Sequence, residues 1–142
     1  MRYWDASALV PLLVHQASSE RMRALAAADD AVVTWWGTPI ECISALARLE
    51  RDGVLPASVV AESLGRLRRT EAAWAEVSPS SDVREQAKRL LRVHALRAAD
   101  ATQLAAAIVA SDFQPGALEF VTLDARQSQA AEREGFAIVS TA

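Results

Sequence analysis

Four acidic residues stand at the borders of apolar segments of the chain. Asp5, Glu41 and Asp124 each follow an apolar segment, and Asp100 precedes one. Carboxylate oxygens are hard ligands that suit Mg2+ and Mn2+, and such ions generate hydroxide and stabilise developing charge on a phosphate group. If the fold brings the four carboxylates together, they form a site for divalent metal ions.

The segments around these acids predict an alternation of strands and helices. Short runs rich in β-branched and aromatic residues predict strands at residues 1–4, 31–36, 119–123 and 136–139. Apolar residues at helical spacing predict helices at residues 7–14, 18–28, 38–52, 56–74, 98–110 and 125–134. We expect Pro11 to cut the first of these helices. A further helix should follow the break at residues 78–80, with an inner face made of Val83, Ala87, Leu90 and Leu91.

Short strands that alternate with helices predict a parallel sheet covered by helices on both faces. We expect about four or five strands, with a helical hairpin of residues 38–76 that extends beyond the sheet. Ligands of such open sheets bind outside the carboxyl ends of the strands. Asp5 and Asp124 directly follow predicted strands, so their position alone places them at that edge.

Each acid also has a purely structural interpretation, because all four lie near predicted helix starts. Asp5 and Asp124 are suited to cap the helices that follow them. Thr38 and Glu41 are spaced as a capping box, and Asp100 suits the positive end of a helix dipole. Capping does not explain why the acids should gather at one sheet edge. Two carboxylates ~4 Å apart repel by roughly 4 kcal/mol at an effective dielectric near ~20, so their convergence requires cations.

Composition and charge narrow the classes of function. A chain of 142 residues with 51% hydrophobic content suits a single domain, which we place at residues 1–142. The single cysteine, Cys42, excludes an internal disulfide and a cysteine-based zinc cluster. The chain shows no secretory leader and no apolar run of membrane-spanning length, so we expect a cytoplasmic protein. The net charge of −3 gives no global attraction to nucleic acid, which leaves such binding to local basic residues.

Four ordered blocks of sequence carry a family resemblance. They are residues 3–10 (YWDASALV), Glu41 with residues 44–48 (SALAR), residues 96–101 (LRAADA) and residues 120–126 (FVTLDAR). In order and spacing these blocks resemble the PIN-domain ribonucleases, and in particular the VapC-type toxins of bacterial toxin–antitoxin pairs. The resemblance spans almost the whole chain. It implies a three-layer α/β/α PIN-like fold and an endoribonuclease that depends on Mg2+ or Mn2+.

The resemblance also implies roles for the four acids, which match the acidic quartet of that family by position. Asp5 and Asp100 are expected to bind metal directly. Asp124 is expected to bind metal either directly or through a water molecule. Glu41 is expected to position a metal-bound water for attack on the RNA phosphodiester.

Four residues near the acids have expected supporting roles, two by the same comparison and two by their position in the sequence. Ser7 and Thr122 match hydroxyl positions beside the first and fourth acids, although both are equally suited to cap the local backbone. Arg97 and Arg126 each lie close in sequence to an acid of the quartet. We expect these two arginines to contact RNA phosphate, or alternatively to pair with the carboxylates.

Two departures from the family pattern concern the substrate rather than the reaction, because neither removes a carboxylate. Gln103 stands where these toxins often carry histidine, three residues after the third acid, and Trp4 is bulkier than the usual aliphatic residue. The other candidate ligands and nucleophiles are isolated. His15 and His94 lack partners at ligand spacing, and Cys42 lacks a base, so we expect all three to be packing or surface residues.

The resemblance implies a cognate antitoxin, a homodimer, and a hetero-oligomer of toxin and antitoxin. We expect the antitoxin to contact the helical region 38–76, because we expect that region to hold more apolar positions than the core can bury. A PIN-fold housekeeping nuclease is one alternative. A receiver-like signalling module that binds Mg2+ is another, but receivers need a lysine after a late strand. The sole lysine, Lys88, lies in a predicted helix instead.

Overall fold

The computed structural model describes residues 1–141, which form five strands and seven α-helices. The strands are β1 (Arg2–Trp4), β2 (Val32–Trp35), β3 (Ala75–Val77), β4 (Glu119–Val121) and β5 (Ala137–Ile138). The helices are α1 (Ala6–Leu13), α2 (Ser19–Ala27), α3 (Thr38–Arg51), α4 (Ala57–Glu71), α5 (Ser81–Val93), α6 (Ala98–Ala110) and α7 (Ala125–Arg133), with a 3-10 turn at Pro115–Ala117. Within residues 1–141, every helix is too short or too polar to cross a membrane.

All five strands are parallel and lie in the order β3-β2-β1-β4-β5. The first strand is therefore the centre of the sheet, with Arg2 in register with Val32 on one side and with Glu119 on the other. Parallel pairing brings the carboxyl ends of neighbouring strands to one edge. This order places the residues after β1, β2 and β4 side by side.

Alternation along the central strands builds one apolar core on each face of the sheet. Tyr3 and Phe120 are fully buried against α5, α6 and α7. Trp4 and Val121, the next residue of each strand, are fully buried on the opposite face against α1, α3 and α4. The three-layer α/β/α arrangement expected from the sequence is confirmed.

Strand β3 has no counterpart among the strands predicted from sequence. It is an edge strand whose first two residues, Ala75 and Glu76, are exposed, while Val77 is only half-buried. Such a strand has no apolar run that would reveal it. The preceding helix α4 ends at Glu71 rather than at Trp74, so the helical hairpin spans residues 38–71 rather than 38–76.

The prediction that Pro11 cuts the first helix was wrong. Helix α1 runs from Ala6 to Leu13 with Pro11 inside it, and the Val14 N–H still donates to the Val10 carbonyl at 3.2 Å. Proline lacks an N–H and its ring crowds the carbonyl four residues earlier, but here the helix buries Pro11 together with its neighbours in the core. Packing against the sheet and the hairpin therefore outweighs the missing hydrogen bond.

The hairpin of α3 and α4 packs against α1 through Cys42, Leu46, Val60 and Leu67. Gly53, at the bend between the two helices, has a φ of +71°, which glycine adopts without strain.

On the other face of the sheet, the inner face of α5 differs from its prediction at one residue. Leu91 is 43% exposed, because it lies about 100° around the helix from the buried Leu90.

Candidate active site

Asp5 is the first residue after the central strand and the N-cap of α1. Its Oδ1 atom accepts a hydrogen bond from the Ala8 N–H at 3.2 Å. The side chains of Ser7 and Thr122 donate to the two carboxylate oxygens, Ser7 to Oδ1 at 2.6 Å and Thr122 to Oδ2 at 2.5 Å. Only 4% of Asp5 is exposed. Asp5 is thus both a helix cap and a buried carboxylate that three donors surround.

The hydroxyls of Ser7 and Thr122 also bind the loop that follows β4. The Leu123 N–H donates to Ser7 Oγ at 2.9 Å, and the Asp124 N–H donates to Thr122 Oγ1 at 3.0 Å. Each hydroxyl therefore gives its proton to Asp5 and accepts a backbone N–H in return. The two expected roles, support of Asp5 and local capping, are carried out by the same atoms.

Asp100 and Asp124 lie at the starts of two helices that a glutamine joins. Asp124 is the N-cap of α7 and its Oδ1 atom accepts from the Gln127 N–H at 2.8 Å. Asp100 is the third residue of α6, and its Oδ2 atom accepts from the Arg97 N–H at 3.3 Å. The Gln127 side chain donates to the Asp100 carbonyl at 3.0 Å, which ties the two helix starts together.

Asp100 and Asp124 line a cavity of about 450 Å³ together with Arg97, Ala99 and Arg126. Neither arginine forms an ion pair with an acidic side chain within residues 1–141. The alternative that these arginines pair with the carboxylates is therefore not seen. Both arginines line the cavity, and their positive charge favours an anionic ligand there.

The capping box predicted at the start of α3 was wrong. Gly37 is the N-cap, and Thr38 is a buried residue whose hydroxyl lies 2.7 Å from that of Thr34. Glu41 does not reach back to the helix start, because its Oε2 atom accepts a hydrogen bond from Gln103 Nε2 at 2.6 Å. The Glu41 side chain instead faces a second cavity of about 250 Å³, which Ser7, Arg48 and Ala99 also line.

Burial and mutual repulsion raise the pKa of two of these carboxyl groups. Burial raises the pKa of Asp5 to about 6; hydrogen bonds from Ser7 and Thr122 oppose the rise, and the charge of Asp124 adds to it. Burial raises the pKa of Glu41 to about 7, which Gln103 opposes and the charges of Asp5 and Asp100 increase. Asp5 therefore lies within electrostatic reach of Asp124 and Glu41, and Glu41 lies within reach of Asp100.

The fit of this site to a divalent cation depends on its oxygen donors. Within residues 1–141, no three acidic, histidine or cysteine side chains already form a set that could ligate a metal ion. Each carboxylate is turned toward a local donor, yet one oxygen each of Glu41, Asp100 and Asp124 accepts no hydrogen bond from these residues. Carboxylate oxygens are the type of ligand that Mg2+ and Mn2+ prefer, so the donor atoms fit these ions. The side chains are not already arranged around a metal position.

Three other residues that could carry chemistry lie apart from this site or are inert. His94 pairs with Glu134 at 2.6 Å between α5 and α7. His15 is exposed, and burial raises the pKa of the Cys42 thiol to about 12, which keeps it protonated. These observations agree with the packing and surface roles that the sequence suggested.

The side chains of two buried glutamines contact the quartet in ways that the sequence did not predict. Gln103 stood out only as a departure from the family pattern, and Gln127 only as the third helical position after the Asp124 cap. They are almost fully buried, at 2% and 1% exposure, and Gln103 contacts Glu41 while Gln127 contacts Asp100. A usable signal existed for Gln103, because it is a polar residue inside a helix that is apolar nearly all round.

No protein-family model matches the chain. Two curated relatives from Mycobacterium tuberculosis do match, Ribonuclease VapC45 of strain CDC 1551 / Oshkosh and Ribonuclease VapC49 of strain ATCC 25618 / H37Rv. Each is 36% identical over 113 residues, which cover 78% of this chain and 76% of the relative. The chain belongs to the VapC ribonuclease family.

Two solved structures have folds similar to that of this VapC-family chain. A toxin–antitoxin complex from Klebsiella pneumoniae aligns with a TM-score of 0.67 at 18% identity, covering 100% of this chain and 98% of the other. The FitAcB crystal structure from Neisseria gonorrhoeae aligns with a TM-score of 0.66 at 17% identity, covering 99% and 98%. At these identities the likeness concerns the fold, and it confirms the PIN-like architecture.

The raised pKa of Asp5 predicts that the ionised Asp5 carboxylate lowers the free energy of unfolding of this VapC-family chain. Because the folded pKa is about 6 against an ordinary value of 3.8, the ionised carboxylate disfavours the folded state above pH 6, and this penalty vanishes below pH 3.8. In EDTA, Asp5→Asn should therefore raise the free energy of unfolding at pH 8 by roughly 1–3 kcal/mol. Urea unfolding of both proteins at pH 8 and pH 4 measures this difference.

The gain should shrink at pH 4, because little of the wild-type carboxylate is then ionised in the folded state. Asp30→Asn is the matched control, since Asp30 is exposed, and it should change stability little at either pH. A destabilised Asp5→Asn protein at pH 8, or a gain equal at both pH values, would contradict the electrostatic interpretation.

Proposed function

We propose that this chain is a metal-dependent endoribonuclease and the toxin of a type II toxin–antitoxin pair. The observation that supports this best is the gathering of four acids at one edge of the sheet in a member of the VapC ribonuclease family. The receiver-like alternative is disfavoured. Lys88, the sole lysine, pairs with Glu85 on the exposed surface of α5 at 3.0 Å rather than lying among the acids.

The proposed metal ligands are Asp5, Asp100 and Asp124, because Asp5 and Asp124 are the N-caps of α1 and α7 and Asp100 lies in the first turn of α6, which Gln127 joins to α7. When bound, Mg2+ or Mn2+ would offset the repulsion among these acids, polarise the phosphate and lower the pKa of a water. Ser7 and Thr122 support this role, since both donate to Asp5 and so favour its ionised form. Their hydroxyls would keep Asp5 ready to bind a cation at neutral pH.

Glu41 is the proposed acceptor of the proton from the attacking water. Its pKa of about 7 suits a general base at neutral pH, and one of its oxygens is free of protein donors within residues 1–141. As the water oxygen bonds to phosphorus, Glu41 would take the proton, the bond from phosphorus to the departing ribose oxygen would break, and that oxygen would take a proton from solvent water. The products are two shorter RNA strands.

The proposed path of the RNA strand runs over the two cavities, which share Ala99 in their walls. Arg97 and Arg126 line the first cavity beside Asp100 and Asp124, and Arg48 lines the second beside Glu41. Because the chain carries a net charge of −3, these local guanidinium groups are the features that favour an anionic strand. They would contact phosphates on either side of the bond that is cut.

The proposed antitoxin contact lies on the hairpin of α3 and α4. Ile40, Ile43 and Val54 expose 65%, 46% and 64% of their surface there, which supports a partner that covers apolar side chains. One of the similar solved structures is a toxin–antitoxin complex. A homodimer, and a hetero-oligomer with the antitoxin, are part of the same proposal.

Metal-dependent cleavage is the first test of the reaction. The purified protein should cleave single-stranded RNA with Mg2+ or Mn2+ and not with EDTA. Asp5→Asn and Asp100→Asn should each lower kcat on the order of 10²–10³-fold or more, because each removes a charge that the reaction needs. Asp30→Asn should retain full activity. Cleavage in EDTA, or normal activity in both site variants, would refute the proposed site.

Salt dependence tests the proposed binding of phosphate by arginine. Replacing Arg97 and Arg126 together by alanine should raise KM several-fold and leave kcat within about twofold. The slope of log(kcat/KM) against log[salt] should become shallower by about 0.7 for each phosphate of a single strand that the variant no longer neutralises. Arg92→Ala, on the exposed surface of α5, is the control. An unchanged slope in the double variant would show that the strand runs elsewhere.

Growth tests the toxin role separately from the chemistry. Expression of the wild-type chain in bacteria should arrest growth, whereas Asp5→Asn at an equal soluble level should not. Co-expression of a small protein encoded immediately upstream of the native gene should restore growth. Normal growth despite Asp5-dependent cleavage in vitro would instead favour the housekeeping nuclease.

A further inference from the structure

Gln103 is a buried polar side chain in the middle of α6, where its buried neighbours are apolar. It is 2% exposed, and the other buried residues of the helix are Ala101, Leu104, Ala105, Ala106, Ala107 and Ile108. Burial of an amide is unfavourable unless its donors and acceptor are hydrogen-bonded. The hydrogen-bond partners of the Gln103 amide therefore explain how a glutamine can be buried at this position.

The amide of Gln103 has a partner for each of its polar atoms. The Tyr3 hydroxyl donates to Oε1 at 2.7 Å, while Nε2 donates to Thr38 Oγ1 at 2.9 Å and to Glu41 Oε2 at 2.6 Å. Burial holds the pKa of Tyr3 well above its ordinary value, so the phenol stays a donor. Because a carboxylate oxygen cannot donate, this arrangement decides which way the amide points.

The hydroxyls next to Gln103 complete a network with one consistent direction of donation. Thr34 donates to the Trp4 carbonyl at 2.7 Å, and the oxygens of Thr34 and Thr38 lie 2.7 Å apart. Since each hydroxyl has one proton, Thr38 must donate to Thr34 and can only accept from Gln103. The network begins at Tyr3 and ends at Trp4, so both its ends are anchored in the central strand.

We propose that Gln103 is a positioning residue for the nuclease reaction, whose amide, oriented by Tyr3, donates to Glu41 Oε2 and leaves the other oxygen of Glu41 to face the reacting water. This inference rests on the proposed function. In this role Gln103 touches neither RNA nor metal, because it acts only through Glu41. The second glutamine, Gln127, contacts the Asp100 backbone and plays no part in this role.

Steady-state kinetics with a single-stranded RNA oligonucleotide and Mg2+ test the proposal. Gln103→Met keeps the length of the side chain but removes the donor, so kcat should fall by about 10–100-fold while KM changes less than about twofold. Gln103→His retains one donor and one acceptor and should recover most of the activity. Gln114→Met, an exposed glutamine replaced in the same way, is the control.

Tyr3→Phe probes the same role without touching Gln103. It removes the hydroxyl that orients the amide, so kcat should fall by a smaller factor, about 3–10-fold, again at nearly constant KM. Thermal unfolding checks that each variant is folded. Should Gln103→Met fail to fold, Gln103→His and Tyr3→Phe still decide between positioning and mere packing, since packing alone predicts an unchanged kcat for Tyr3→Phe.

Nuclear magnetic resonance provides a readout that does not depend on activity. One side-chain N–H proton of Gln103 should resonate downfield because it donates to a carboxylate at 2.6 Å, and Glu41→Gln should abolish that shift. A normal kcat in Gln103→Met, or a resonance unaffected by Glu41→Gln, would overturn the positioning role alone. Absence of cleavage by the wild-type protein would overturn the proposed function, and this role with it.

Discussion

The site depends on one buried carboxylate at the end of the central strand. Asp5 is 4% exposed, and the hydroxyls of α1 and of the loop after β4 both donate to it. Burial alone would neutralise such a group, and its pKa of about 6 shows that the donors only partly offset this tendency. Strand order, the packing of Trp4 beneath it and the course of the following loop all serve to place this charge.

Helix capping is compatible with the chemistry proposed for the same acids. Asp5, Asp100 and Asp124 each accept a backbone N–H at a helix start, which fixes where the carboxyl group lies. Buried glutamines then join elements that are far apart in sequence, Gln103 to α3 and Gln127 to the start of α6. Rigid placement before a ligand arrives is the condition under which oriented charges act most effectively.

The sequence was informative where its signals are local. Strand ends placed Asp5 and Asp124, and the four strands with apolar runs lie where they were expected. Glu41 and Asp100 depended on the family pattern, since no strand end precedes them directly. The edge strand β3 was not predicted because its residues are mostly exposed. The predicted capping box at Thr38 was wrong because the side chains of Thr38 and Glu41 accept hydrogen bonds from Gln103, which is 65 residues from Thr38. Contacts between residues so far apart in sequence cannot be recognised from the spacing of residues within one segment.

Anomalous scattering from Mn2+ in crystals of the wild-type protein tests the central claim most directly. The claim is that Asp5, Asp100 and Asp124 form one metal-binding site. It predicts a Mn2+ peak bounded by Asp5, Asp100 and Asp124, which disappears in Asp5→Asn crystals grown under the same conditions. Mn2+ peaks found only elsewhere on the molecule, in a preparation that cleaves RNA, would contradict it.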